Sequence, residues 1–347
     1  MDDVVARHEP LRTVFSPEGR RHVRSCGPGL ARSDRPLAEL AREPFDLTTE
    51  PPFRAILAGG ELLLVLHYLG VDEWSVVPLL RDLATAYEAR RDGRAPDRAP
   101  LPVRYSDYAR WAGALGGDPA DPESRHARAL AFWREALDGV PAPDPGGDET
   151  AATVAFELDA ELRAGVDALA RRTRTSMFMV LQAALATVLA RRGAGPVVPV
   201  GSFAAGRTEA SLVDVVGCVA NVLVLPVQVE GDGFEALLGR VRTANLAALD
   251  HQETGFADVA DATGLRRPPV LLVHHEQADL GAERSVLGAL DAVDVGGSTA
   301  DLTVGFFETP GGAAVPVELT HRLAAYDRET AAALAQELVA LLRSVTG

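Results

Sequence analysis

The stretch Leu62 to Ser75, LLLVLHYLGVDEWS, most tightly limits how this chain can fold. Leu62 to Leu66 is an unbroken apolar run, which a polar turn then closes. That pattern reads as a short buried strand over 61–67. Beyond the turn a helix is expected to start at Ser75, whose hydroxyl suits an N-cap. Pro78 then falls in the first turn, where its missing N–H does no harm. Val76, Leu79, Leu80, Leu83 and Tyr87 recur at helical spacing and form the apolar stripe. At the strand end His67 and Tyr68 are neighbours, and adjacent side chains point to opposite faces. The two rings therefore cannot stand in for each other. A phenol of ordinary pKa about 10 is also a poor general base at neutral pH.

The chain has 347 residues, and 47% of them are hydrophobic, enough for a large core and about two domains. The net charge is −15, and no basic cluster is interleaved with aromatics, so nucleic acid is not an expected partner. The front of the chain carries neither a secretory leader nor a long apolar run. The expectation is a soluble cytoplasmic protein with no membrane partner. The two cysteines, Cys26 and Cys218, allow a disulfide without implying one, and no zinc-ligand spacing exists.

The best linker is the Gly/Pro-rich stretch near residues 141–150, which divides an N-terminal lobe, 1–140, from a C-terminal lobe, 151–347. The second lobe is expected to open with a strand at 153–158 and helices near 160–172 and 176–192. Met177 and Met179 sit at core-filling positions. Strands follow at 196–200, 270–275 and 302–307, then a final helix over 328–344.

Several motifs stand in a consistent order. Arg7-His8-Glu9-Pro10-Leu11-Arg12-Thr13-Val14-Phe15 is the first, followed by Pro44-Phe45-Asp46-Leu47 and Pro52-Phe53-Arg54. His67 to Ser75 comes next, then Tyr105-Ser106-Asp107-Tyr108-Ala109-Arg110-Trp111 and Phe132-Trp133. Gly201 to Thr208, Val216 to Asn221, and His251-Gln252 with Phe256 complete the series. Together these resemble the condensation domain of nonribosomal peptide synthetases, whose motif reads His-His-x-x-x-Asp-Gly-Trp-Ser. His67, Asp72, Trp74 and Ser75 match it, while Tyr68 replaces the second His and Glu73 replaces the Gly. In the family that second His faces the reacting groups. A strand and most of a helix precede the first motif in the family and are missing here. The resemblance implies an α/β fold of two chloramphenicol-acetyltransferase-like lobes in a V, with a tunnel between them and the N-lobe truncated at its start.

The resemblance also assigns roles. Asp72 and Arg207 are expected to form a structural pair tethering segments of the two lobes, with His67 also structural. Glu73 is either a solvated turn residue or a base; as a replacement for Gly it is strained if the position needs φ > 0. Of His274 and His275, only one ring faces inward by strand alternation, and the pair is read either as satisfied hydrogen-bonding residues or as supplying the catalytic base. Adjacent residues on one strand cannot both chelate, so no metal is expected. Cys218 is either an inert small hydrophobe or, beside a His, a nucleophile that accepts an acyl group from a thioester. Tyr68, Trp74, Asn221 and Gln277 are the candidate substrate-binding residues.

Two functions follow from the resemblance. One is a discrete enzyme, similar to lincosamide-type condensing enzymes, forming an amide from an acyl group and a small-molecule amine. Its acyl group would arrive on the phosphopantetheine of an acyl or peptidyl carrier protein, with no bound cofactor. The other is a catalytically inactive domain that recruits a tailoring oxygenase, as in glycopeptide synthetases.

Overall fold

The computed structural model describes residues 1–140, 149–231, 233–276, 280–293, 298, 300–309 and 311–347. The fold class is α/β, with mixed sheets and packed helices. Close backbone contacts group the chain into two units. The first unit takes Met1–Leu115, Ala205–Ala220 and Asp279–Val295, and the second takes the rest. The expected linker at 141–150 lies almost wholly outside the described residues. The grouping follows long-range packing instead, so residues 116–140 join the second unit and 205–220 join the first.

The first unit opens with α1 (Asp2–Arg7), a hairpin of β1 (Thr13–Phe15) and β2 (Arg21–Val23), β3 (Leu30–Ser33) and α2 (Leu37–Ala41). β4 (Phe53–Ala58) and β5 (Glu61–Leu66) then pair antiparallel, and β3 joins β4 in parallel. The expected strand at 61–67 is thus present and ends one residue early. A 3-10 turn over Glu73–Ser75 leads into α3 (Val76–Arg91), and α4 (Tyr105–Leu115) follows. Leu79 and Leu83 of α3 pack with Val4, Val5, Leu11 and Phe53 to form this unit's main core. Tyr87, expected in the same stripe, is 53% exposed, and Ala86 is buried in its stead. The 79, 83, 86 spacing keeps the buried face in phase with 3.6 residues per turn.

In the second unit the order is α5 (Arg125–Ala136), β6 (Ala151–Leu158), α6 (Ala160–Thr173), α7 (Met177–Leu189), β7 (Val197–Ala204) and β8 (Asn221–Gln228). It continues through α8 (Phe234–Leu249), α9 (Phe256–Thr263) and β9 (Val270–Glu276). A short α10 (Gly281–Leu287) belongs to the first unit; β10 (Leu302–Glu308), β11 (Val315–Arg322) and α11 (Arg328–Thr346) finish the second. The six strands run in the order β6-β11-β10-β9-β7-β8. β9 pairs in parallel with both β10 and β7, so the sheet is mixed. β11 was not foreseen, although its buried–exposed alternation was readable.

One face of this sheet is covered by α6, α7 and α11. Their Leu162, Val166, Leu181, Leu185, Leu338 and Leu342 pack on Val200, Leu272, Val304 and Val317. Each such fully buried side chain contributes about 1.5–3 kcal/mol. The helix α7 explains an apolar window at Met177–Ala194 with mean hydropathy 1.2. That 18-residue window is long and apolar enough to cross a membrane, yet its residues 180–189 are all buried in this unit.

Candidate functional site

The motif turn of the first unit is built around one carboxylate. Asp72 is 1% exposed, and both of its oxygens are crowded with donors. Arg207 forks onto it, with Nη1 2.8 Å from Oδ2 and Nη2 2.8 Å from Oδ1. The backbone N–H of Ser75 donates to Oδ1 at 3.0 Å, capping the 3-10 turn. The N–H groups of Val219 and Ala220 donate to Oδ2 at 2.9 and 3.0 Å. Ser75 Oγ lies 2.7 Å from Asp72 Oδ1 and 3.0 Å from both the N and the O of Gly217. Such charge-assisted, bidentate contacts are the strong ones.

This arrangement corrects one expectation. Ser75 does not cap α3, because its hydroxyl is drawn into the Asp72–Gly217 network; Asp72 does the capping one turn earlier. The Asp72–Arg207 pair joins segments that chain order places in different lobes, 1–140 and 151–347, but that group in one unit. Arg207 belongs by its contacts to the first unit, where it also donates to the carbonyls of Ala205 and Val215.

Residues not singled out from sequence hold the far side of the turn. Tyr105 of α4 donates its hydroxyl to the Cys218 carbonyl at 3.0 Å. Its ring lies against Gly217, where an added Cβ would sit 2.1 Å from a ring carbon, so only glycine fits. Gly206, at φ +66°, also approaches closely, with the Val219 carbonyl oxygen 2.5 Å from a virtual Cβ. The signal for Tyr105 was present in the sequence, as part of the Tyr-Ser-Asp-Tyr motif.

Two groups at this turn are shifted away from proton transfer near neutral pH. Partial burial and the negative groups nearby push the Tyr68 phenol above its ordinary value. Burial pushes the Cys218 thiol up to about 11, with the Asp72 carboxylate adding to it and Arg207 opposing it. A nucleophilic thiol needs the opposite shift. His67 accepts a hydrogen bond from the Leu69 N–H through Nδ1, at 3.1 Å, and its ring meets Phe45 edge-on. Glu73 is exposed and carries no strain, since Arg174 is the only non-glycine residue at positive φ among the described residues. Trp74 is half-buried. Cys26 and Cys218 are both free thiols.

The second unit shows which face each of the paired histidines takes. His274 is in register with Phe306, and shares its face with Val270 and Leu272, the helix-covered side. There its Nε2 lies 2.8 Å from Glu308 Oε2, and Glu308 also pairs with Arg163 of α6. His275 points to the other face, where it stacks on Phe307 at 4.5 Å with the rings 5° apart. His274 thus lies on the helix-covered face beside the Glu308 carboxylate, and His275 on the opposite face.

Asn221 is likewise consumed by structure. Its Nδ2 donates to the carbonyls of Gln252 and Thr254 at 2.8 and 2.7 Å. Its Oδ1 accepts from the N–H groups of Val222 and Phe256 at 2.9 and 3.0 Å. Both donors and both acceptor positions are filled, so nothing remains for a substrate. Gln277 lies outside the described residues. Among the described residues no group of His, Cys, Asp and Glu is suited to hold a metal ion.

Comparison with known proteins places this geometry. The family model described as "Condensation domain" matches residues 31–346. The chain is 41% identical over 383 residues to the nonribosomal peptide synthetase CymA of Salinispora arenicola, covering 99% of this chain and 5% of that protein. It is 39% identical over 391 residues to a dimodular nonribosomal peptide synthase of Bacillus subtilis, covering 99% of this chain and 16% of that one. Both alignments are longer than the chain itself, so these relatives carry insertions that it lacks. Among solved structures, the complex of the X-domain and OxyB from teicoplanin biosynthesis matches with a TM-score of 0.88. Identity there is 27%, over 99% of this chain and 83% of that one. The chain therefore belongs to the condensation-domain family of nonribosomal peptide synthetases.

Proposed function

We propose that this chain is a condensation-type domain that recruits a partner, such as a tailoring oxygenase, to a carrier-borne peptide rather than forming the amide itself. The observation that carries this reading is the chemistry of the motif turn. Its second His is a tyrosine whose phenol is raised away from neutrality. Its Asp72 is fully engaged by Arg207 and backbone N–H groups. The one thiol nearby is held protonated, with its pKa at about 11. General acid–base catalysis needs a group whose pKa lies near the working pH. The likeness to an X-domain solved together with OxyB supports the recruitment role. The carried group would arrive on the phosphopantetheine of a carrier protein.

A second reading, that of a condensing enzyme joining a carrier-bound acyl group to an amine, is favoured by the synthetase relatives at 41% and 39% identity. In that case His274, His275 and Glu73 are the candidates for proton transfer. Cys218 would enter as an acyl acceptor only if substrate binding reversed its raised pKa. The deciding experiment incubates the protein with acylated carrier proteins and a panel of amines, read by intact-mass and product mass spectrometry. In parallel, binding of candidate oxygenases is measured by calorimetry. Oxygenase binding without amide formation is expected; amide formed by the wild-type protein overturns the recruitment reading.

A further inference from the structure

We draw no further inference here: the strongest candidate, the apolar groove of the second unit between the edge strand β8 and the helices α5 and α8, carries none because nothing in the structure shows what covers it.

Discussion

At the scale of single residues, the carboxylate of Asp72 and the thiol of Cys218 behave oppositely. Asp72 is a charge that many donors hold in place. Replacing it by Asn would leave the Arg207 guanidinium, 6% exposed, without its counter-charge. Removing one partner of a buried pair costs about 3–5 kcal/mol. Asp72→Asn is therefore expected to unfold at clearly lower urea concentration than the wild-type protein. An unchanged midpoint would show that the pair is not structural. Cys218 is a group that burial keeps neutral, and its pKa near 11 sets a pH signature. In a Cys26→Ser background, alkylation by iodoacetamide should be slow at pH 7.5 and still be rising at pH 10. A rate that levels off by pH 8 would mean an activated thiolate. The sign for stability follows. A raised pKa means that the folded state binds the proton more tightly than the unfolded chain. The contribution is complete below the ordinary thiol value and fades as pH climbs towards 11.

Tyr68 is the residue on which the proposed function turns. Tyr68→His restores the second motif histidine in the family's own position, and general acid–base catalysis typically contributes about 10²–10⁴-fold. If recruitment is the native role, the variant should gain amide formation over the wild-type protein with acylated carriers, by at least about 100-fold where the rest of the site is intact. Wild-type turnover equal to that of Tyr68→His would show that the tyrosine is no obstacle.

At the scale of elements, the first residue of β8 acts as a staple. Asn221 ties the start of the strand to the loop 252–254 and to the N-terminal end of α9. Asn221→Ala leaves the buried Thr254 carbonyl and its neighbours short of partners, at about 1–3 kcal/mol for each unsatisfied group. Hydrogen exchange over 252–258 should speed up while α7 stays protected. Uniform protection in the variant would argue against the staple. The helices of this unit were legible because their period is regular. α6, α7 and α11 fall within a few residues of the expected spans. The errors came where periodicity is silent: the phase of Tyr87 on α3 depends on which side of the helix finds a core.

At the scale of the whole molecule, contacts assign segments to units in a way that chain order does not. Residues 205–220 lie between β7 and β8 in sequence, yet pack with the first unit, because Arg207 and the 215–220 backbone supply the donors that Asp72 needs. The chain spans only a small part of its synthetase relatives, so its partners are a matter for the binding and turnover experiments above.

The sequence by itself determined the α/β class, most strands and helices, and the family, because apolar periodicity and ordered motifs are local properties that survive without the fold. It also determined the loss of the second motif histidine. Only the tertiary structure decided that His274 lies under the helices while His275 stacks on Phe307, since alternation says that two neighbours differ but not which face is covered. Only it decided that Asp72 and Asn221 have no capacity left for a substrate. Their donors and acceptors come from distant positions, and hydrogen-bond saturation depends on where those backbone groups converge.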